Sequence, residues 1–229
     1  GQFPSAASGN GTVYVSDDYG VTWSGRGSSR AHTSITSDAS GNRLAVTVNN
    51  EGVYLSSDRG ATWTLANITG ASSYTWTEIA SDYSGQYLTA FGSNAGFIYY
   101  SHDYGATWTA TANPCNFVVR SSAVSNNGQY QYASFRDSYR TVRSTNYGAT
   151  WTEMTGLGWA RSVACNGNGQ RLVAVREEDV WIVGSIDYGN TWTRFTNYPV
   201  GSWVTYSSVV MDTSGLNIVV GGGDLSEVI

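Results

Sequence analysis

The chain has no lysine: all 12 of its basic residues are arginines. Without a lysine amine it can form no Schiff base and build no P-loop. Charge of either sign is scarce. Asp, Glu and Arg make up 13% of the 229 residues, about half the ~25% usual in soluble domains. The net charge of −5 argues against a basic surface for nucleic-acid phosphates or for an anionic bilayer. No apolar run approaches the ~18 residues that cross a bilayer. Two cysteines, Cys115 and Cys165, are too few for a disulfide framework. Two histidines, His32 and His102, without any C-x-x-C pair, give no metal-ligand set, so no cofactor is expected.

Glycine (27), tyrosine (16) and tryptophan (9) are abundant, and they recur in register. The pattern S-x-D-x-G-x-T-W begins at Ser16, Ser56, Ser101 and Ser185, with a near copy at Ser144 that carries Asn146 in place of Asp. Its glycines, Gly20, Gly60, Gly105, Gly148 and Gly189, are spaced by 40, 45, 43 and 41 residues. That period suits the four-stranded blade of a β-propeller.

A second motif alternates with the first. Asp38-Ala39-Ser40-Gly41 and Asp82-Tyr83-Ser84-Gly85 each precede a β-rich run. Turns ending at Gly128, Gly169 and Gly215 complete the set. Each reads as a hairpin. The unit is therefore strand A, D-x-S-G turn, strand B, variable loop, strand C, S-x-D-x-G turn, strand D.

The fold class expected is all-β: one domain, residues 1–229, forming a five-bladed β-propeller. The chain opens on a C–D half (Gly11 to Trp23) and closes on an A–B half (Val204 to Gly222). Either half alone would leave an unpaired edge strand. Pairing them would close the ring. The alternative is that the chain is part of a longer propeller.

The spacing of the first motif has a physical reading. A carboxylate at its third position accepts backbone N–H bonds across a tight turn. Glycine two residues on supplies a positive φ. The serine hydroxyl is expected to bond the opposite strand, and the tryptophan to seal the blade rim. Asn146 keeps the needed carbonyl. The residues assigned this structural role are Asp18, Asp58, Asp103, Asn146 and Asp187. Each sits in its own blade, so they cannot converge on one catalytic centre.

These motifs resemble the Asp-box, or bacterial neuraminidase repeat, family, and the resemblance covers essentially the whole chain. That family includes sialidases, sortilin-type receptors, photosystem assembly factors and xyloglucan hydrolases. The resemblance implies a propeller whose Asp-boxes are structural and remote from any active site. It does not choose a function. A sialidase would need an arginine cluster, a tyrosine nucleophile with a carboxylate neighbour, an acid/base Asp and typically a Phe/Tyr-Arg-Ile-Pro motif. None of Pro4, Pro114 and Pro199 lies in that context.

Function is therefore expected on the opposite face, where the D–A and B–C loops vary in length and sequence. Tyr74, Trp76, Trp159 and Trp203 begin or precede A strands there, with Phe117, Trp181, Tyr198 and Tyr206 nearby. Exposed aromatics of this kind would stack sugar rings; the simpler reading is that they fill gaps between blades. Arg30, His32, Arg120 and Arg161 fall near the channel mouth, and together would grip a carboxylate. The simpler reading pairs the arginines with local acids such as Glu78 or Asp137. Glu51, Glu177, Glu178, Asp179 and Asp224 are further loop-face acids, but sequence cannot pair them at the separation glycosidases use. His32 and His102 fall on opposite faces, so a Ser-His-Asp set is not credible.

Cys115 is placed on the loop face and Cys165 on the turn face, too far apart for a disulfide. Asn10 and Asn67 head N-glycosylation sequons. The overall expectation is a secreted or lumenal, non-catalytic binding module that recognises a glycan or an extracellular protein through its loop face. The alternatives are a glycoside hydrolase and a structural module of a larger assembly.

Overall fold

The structure is a computed structural model that describes residues 3–93, 97–112, 118–136, 140–177, 181–196 and 204–224. Its described strands form six antiparallel sheets in chain order. The first holds β1 (Ser5–Ala7), β2 (Gly11–Val15) and β3 (Ser24–Arg30). The second holds β4 (His32–Ser37), β5 (Leu44–Val48), β6 (Gly52–Ser56) and β7 (Thr64–Leu65). The third holds β8 (Trp76–Ser81), β9 (Leu88–Gly92), β10 (Phe97–Ser101) and β11 (Thr109–Ala112). The fourth runs β12 (Val119–Val124), β13 (Gln131–Phe135), β14 (Thr141–Ser144) and β15 (Thr152–Glu153). The fifth runs β16 (Ala160–Cys165), β17 (Leu172–Arg176), β18 (Ile182–Ser185) and β19 (Thr193–Arg194). The sixth is the pair β20 (Val204–Met211) and β21 (Ile218–Asp224).

In the four complete sheets the strands follow the A–B–C–D order read from the repeats. The A strands of successive sheets, β4, β8, β12, β16 and β20, pack on one another. The second strands are sandwiched between sheets. All five residues of β5, β9 and β13 are buried, which is why these runs show no in–out alternation of burial. Buried Gln131 fits because Thr89 Oγ1 donates to its Oε1 at 2.6 Å and its Nε2 donates to Gly128 O at 3.2 Å. The D strands β7, β15 and β19 are exposed and two residues long, a form that limits edge-to-edge pairing.

Among the described residues the expected clasp is not formed. β2 is already paired on both sides, with β1 and β3, so it has no edge to offer β21. Ser5–Ala7, a strand too short to be legible, takes the place assigned to the C-terminal half. The first sheet differs in a second way. Residues 24–30, expected as a loop, form β3 and pair with β2 across a wide irregularity between Gly11 and Val13.

The Asp-boxes match expectation at the carboxylate and depart from it at the serine. Asp58 Oδ1 accepts the Thr62 N–H at 2.8 Å, and Oδ2 accepts the Thr62 hydroxyl at 2.6 Å. Asp18, Asp103 and Asp187 do the same. Asn146 keeps the turn, accepting Thr150 N–H at 2.9 Å and donating to Thr150 Oγ1 at 3.0 Å. The serine, however, turns inward: Ser56 Oγ accepts Gly60 N–H at 2.8 Å and donates to Asp58 at 2.8 Å.

The residue before each box glycine is also left-handed, at φ 57–61° for Tyr19, Arg59, Tyr104, Tyr147 and Tyr188. This aims its side chain at the preceding sheet. Tyr147 stacks on Tyr87 and Tyr188 on Tyr130, each with centroids 4.4 Å apart. Arg43 lies 4.0 Å over Tyr104, and Arg59 lies 3.7 Å over Phe3. One rung of this kind therefore joins each neighbouring pair among the first five sheets.

Candidate functional site

Every A strand carries a bulge at the same level. Register slips between His32 and Ser34, Trp76 and Glu78, Val119 and Ser121, Ala160 and Ser162, and Tyr206 and Ser208. The extra residues are Thr33, Thr77, Arg120, Arg161 and Ser207. Bulges re-aim side chains and are frequent beside functional sites. Here they set hydroxyls and two guanidiniums at one level of the converging A strands.

Arg120 and Arg161 meet. Both ion-pair with the Glu177 carboxylate, Arg120 at Oε2 and Arg161 at Oε1. Their side chains are 29% and 27% exposed, and that of Glu177 17%, so the cluster is sheltered but reachable. The partner is therefore Glu177, not the expected Glu78; Asp137 lies outside the described residues.

Just past the bulge, three junctions between A strands are stitched alike. Ser34, Ser121 and Ser162 accept the backbone N–H of Ile79, Val163 and Val209 respectively, each at 3.2 Å. At the remaining junction Glu78 replaces the serine, and Ser122 Oγ donates to it at 3.1 Å. Burial pushes the Glu78 carboxyl above the usual range, and the hydroxyls of Ser122 and Ser34 oppose that shift. Neither sequence motif marked this position.

The other expected ligand residues divide. Arg30 ion-pairs with Glu51 and lies 4.3 Å over the Tyr54 ring. His32 is buried, its Nδ1 3.2 Å from Ser8 O. Both line a cavity between the first and second sheets and share no partner with Arg120 and Arg161. Trp76 is fully buried, and its Nε1 donates to Ala71 O at 3.0 Å. Tyr74 meets it edge-on at 5.6 Å and accepts the Tyr99 hydroxyl at 2.9 Å. Trp76 is thus a core residue, not a sugar platform, because the loop carrying Ala66, Ile68 and Ala71 folds over it. Trp159 is half-buried. Trp203, Phe117, Tyr198, Cys115, Glu178 and Asp179 lie outside the described residues. Cys165 is a free thiol whose pKa burial pushes up to about 12. Among the described residues, no group of three His, Cys, Asp or Glu is placed to hold a metal ion.

Comparison with known proteins bears on the repeats and the fold. Residues 99–110 match the BNR/Asp-box repeat family. No match among curated proteins is found by sequence. In structure the chain is similar to an ancestral GH74 enzyme, with TM-score 0.74, 16% identity, and coverage of 99% of this chain and 34% of the enzyme. It is similar to the GH74 xyloglucanase from Xanthomonas campestris, with TM-score 0.71, 17% identity, and coverage of 97% and 42%. It is also similar to YCF48 bound to D1 peptide, with TM-score 0.73, 16% identity, and coverage of 97% and 72%. The chain thus spans well under half the length of these GH74 enzymes. The architecture is that of a β-propeller, and residues 99–110 carry a BNR/Asp-box repeat.

Proposed function

We propose that this chain is a secreted or lumenal recognition module that binds a glycan at the mouth formed by its bulged A strands. The observation that carries this reading is the shared bulge level, which sets Thr33, Thr77, Arg120, Arg161 and Ser207 at the same register position on successive A strands. Hydroxyls and guanidiniums suit the hydroxyls and ring oxygens of a sugar. The similarity to GH74 enzymes supports a glycan, and the similarity to YCF48 bound to D1 peptide makes a peptide the competing ligand. Asn10 and Asn67 are exposed, as used glycosylation sites must be. A glycan array probed with the wild-type chain and with R120Q/R161Q tests the proposal. Hits lost in the variant support it, and an array blank at high protein concentration contradicts it.

One observation favours a second reading, glycoside hydrolysis. Glu78, with its raised pKa, has the environment of a general acid, and Glu177, paired with Arg120 and Arg161, is a second carboxylate held against the fourth sheet. Turnover of chromogenic glycosides, abolished in E78Q, would establish that reading in place of the first.

A further inference from the structure

The first and last sheets expose opposite halves of one interface. The second to fifth sheets each set an Asp-box against the sheet before. Trp63, Trp108, Trp151 and Trp192 share apolar clusters with Val13, Val53, Phe91 and Tyr132 of that preceding sheet. In the third to fifth boxes the residue before the glycine also meets Arg43, Tyr87 or Tyr130, each two residues past a hairpin-turn glycine. The first sheet carries the same box with nothing described packed before it. Its Tyr19 is 73% exposed, and Val21 and Trp23 are exposed beside it.

The sixth sheet has the reverse. Among the described residues β21 pairs with β20 alone, so its other edge holds unpaired backbone groups. Leu216, Ile218 and Val219 are exposed there, whereas the matching strands β5, β9 and β13 are buried throughout. Between this edge and the fifth sheet lies a groove of about 360 Å³, lined by Leu172, Phe195, Met211, Leu216, Ile218 and Arg171. Arg171 stands two residues past Gly169, the position that Arg43, Tyr87 and Tyr130 hold in their own sheets. It is exposed, and no ion pair or cation–π contact among the described residues involves it.

We propose that a second copy of this chain completes the sixth sheet, pairing its β2–β3 hairpin with β21 in place of its own β1. The internal repeats supply the register. In each complete sheet the residue three past the hairpin-turn glycine faces the box serine: Leu44 with Ser56, Leu88 with Ser101, Gln131 with Ser144 and Leu172 with Ser185. The same rule sets Ile218 opposite Ser16 and Val219 opposite Val15, and β21 runs on past them to Asp224. β1 gives β2 only three pairs, and its residues are exposed or half-buried. The exchange seats Trp23 in the groove and sets Tyr19 over Arg171, as Tyr104 already lies against Arg43. Its cost is the β1 pairing and the contact of Phe3 with Arg59. Within one copy the first and sixth sheets share no strand pairing among the described residues. A donor hairpin at one end and an acceptor edge at the other make a head-to-tail contact between copies, and exchange of an identical element is a low-cost route to it.

Analytical ultracentrifugation of the full chain reads the association, and disulfide capture reads the register. V15C and V219C, each on a C115S background, are mixed in equal amounts and oxidised. Self-association that grows with concentration is expected, with a covalent dimer from the mixture and none from either variant alone. W23A and R171Q should each weaken association by about 10-fold and leave the melting temperature of the dilute chain unchanged, since both side chains are exposed. V219P, which removes an edge N–H, should abolish it. Three results would overturn the proposal: a monomer at every concentration, association unchanged in W23A and R171Q, or linkage confined to single chains of the V15C/V219C double variant. The last would show that the hairpin pairs with β21 of its own chain.

Discussion

Arg120 and Arg161, on neighbouring A strands at the same bulge, close on opposite oxygens of one carboxylate, Glu177. The pair is held apart by the anion it shares. Replacing Glu177 with Gln leaves two adjacent guanidiniums with no counter-charge. E177Q should lose about 1–3 kcal/mol of stability, the range for a sheltered charged hydrogen bond. Denaturant unfolding would measure it. R120Q should lose less, because Arg161 keeps the carboxylate. If R120Q proves as costly as E177Q, the cluster is not a shared clamp.

Trp76 is fully buried and its indole N–H is satisfied. W76A should cost about 3–5 kcal/mol, as other buried aromatic truncations do. Its effect on ligand binding should follow only from lost folded protein. A melting temperature unchanged by W76A would contradict this placement.

Hydrogen bonds from Thr and Ser partners lower the carboxyls of Asp18, Asp58 and Asp187 to about 2 from 3.8. Asp103 is lowered by the same contacts. Depressed acid pKa values stabilise the fold above the unfolded pKa, and that gain is lost as pH falls through the folded one. The melting temperature should therefore hold above about pH 4 and drop steeply between about pH 4 and 2. D58N, which copies the natural Asn146 turn, should flatten part of that drop. An unchanged acid profile in D58N would show that the boxes do not drive it.

Burial raises the Cys165 thiol to about 12, so almost none is thiolate at neutral pH. Iodoacetamide should modify Cys165 far more slowly in the folded chain than after unfolding, as read by peptide mass mapping. Equal rates in the folded and unfolded chain would place Cys165 wrongly.

Sequence showed the repeat because the Asp-box is a local structure. Its serine, acid, glycine and threonine bond within eight residues, so spacing alone exposes it. The D-x-S-G turns were legible for the same reason. Ser5–Ala7 was not, because three small residues carry no period and are ordered only by β2. The tyrosine rungs escaped notice because Tyr147 and Tyr87 meet across sheets, at a distance no local pattern encodes. Arg120 and Arg161 were legible as a pair because both fall at the same place in adjacent repeats. Glu177 as their partner was not, because its loop follows a different strand. Trp76 misled because a tryptophan at a loop-facing strand start looks the same whether the loop beyond it opens or folds back.

The central claim is that the bulge level of the A strands is where this protein binds. The most direct measurement is titration calorimetry of the best glycan-array hit against wild type, R120Q/R161Q and the turn-face control D58N. Loss of at least 10-fold in affinity is expected for R120Q/R161Q, with D58N binding like wild type. Equal affinity in R120Q/R161Q and wild type, with the fold intact, would contradict it.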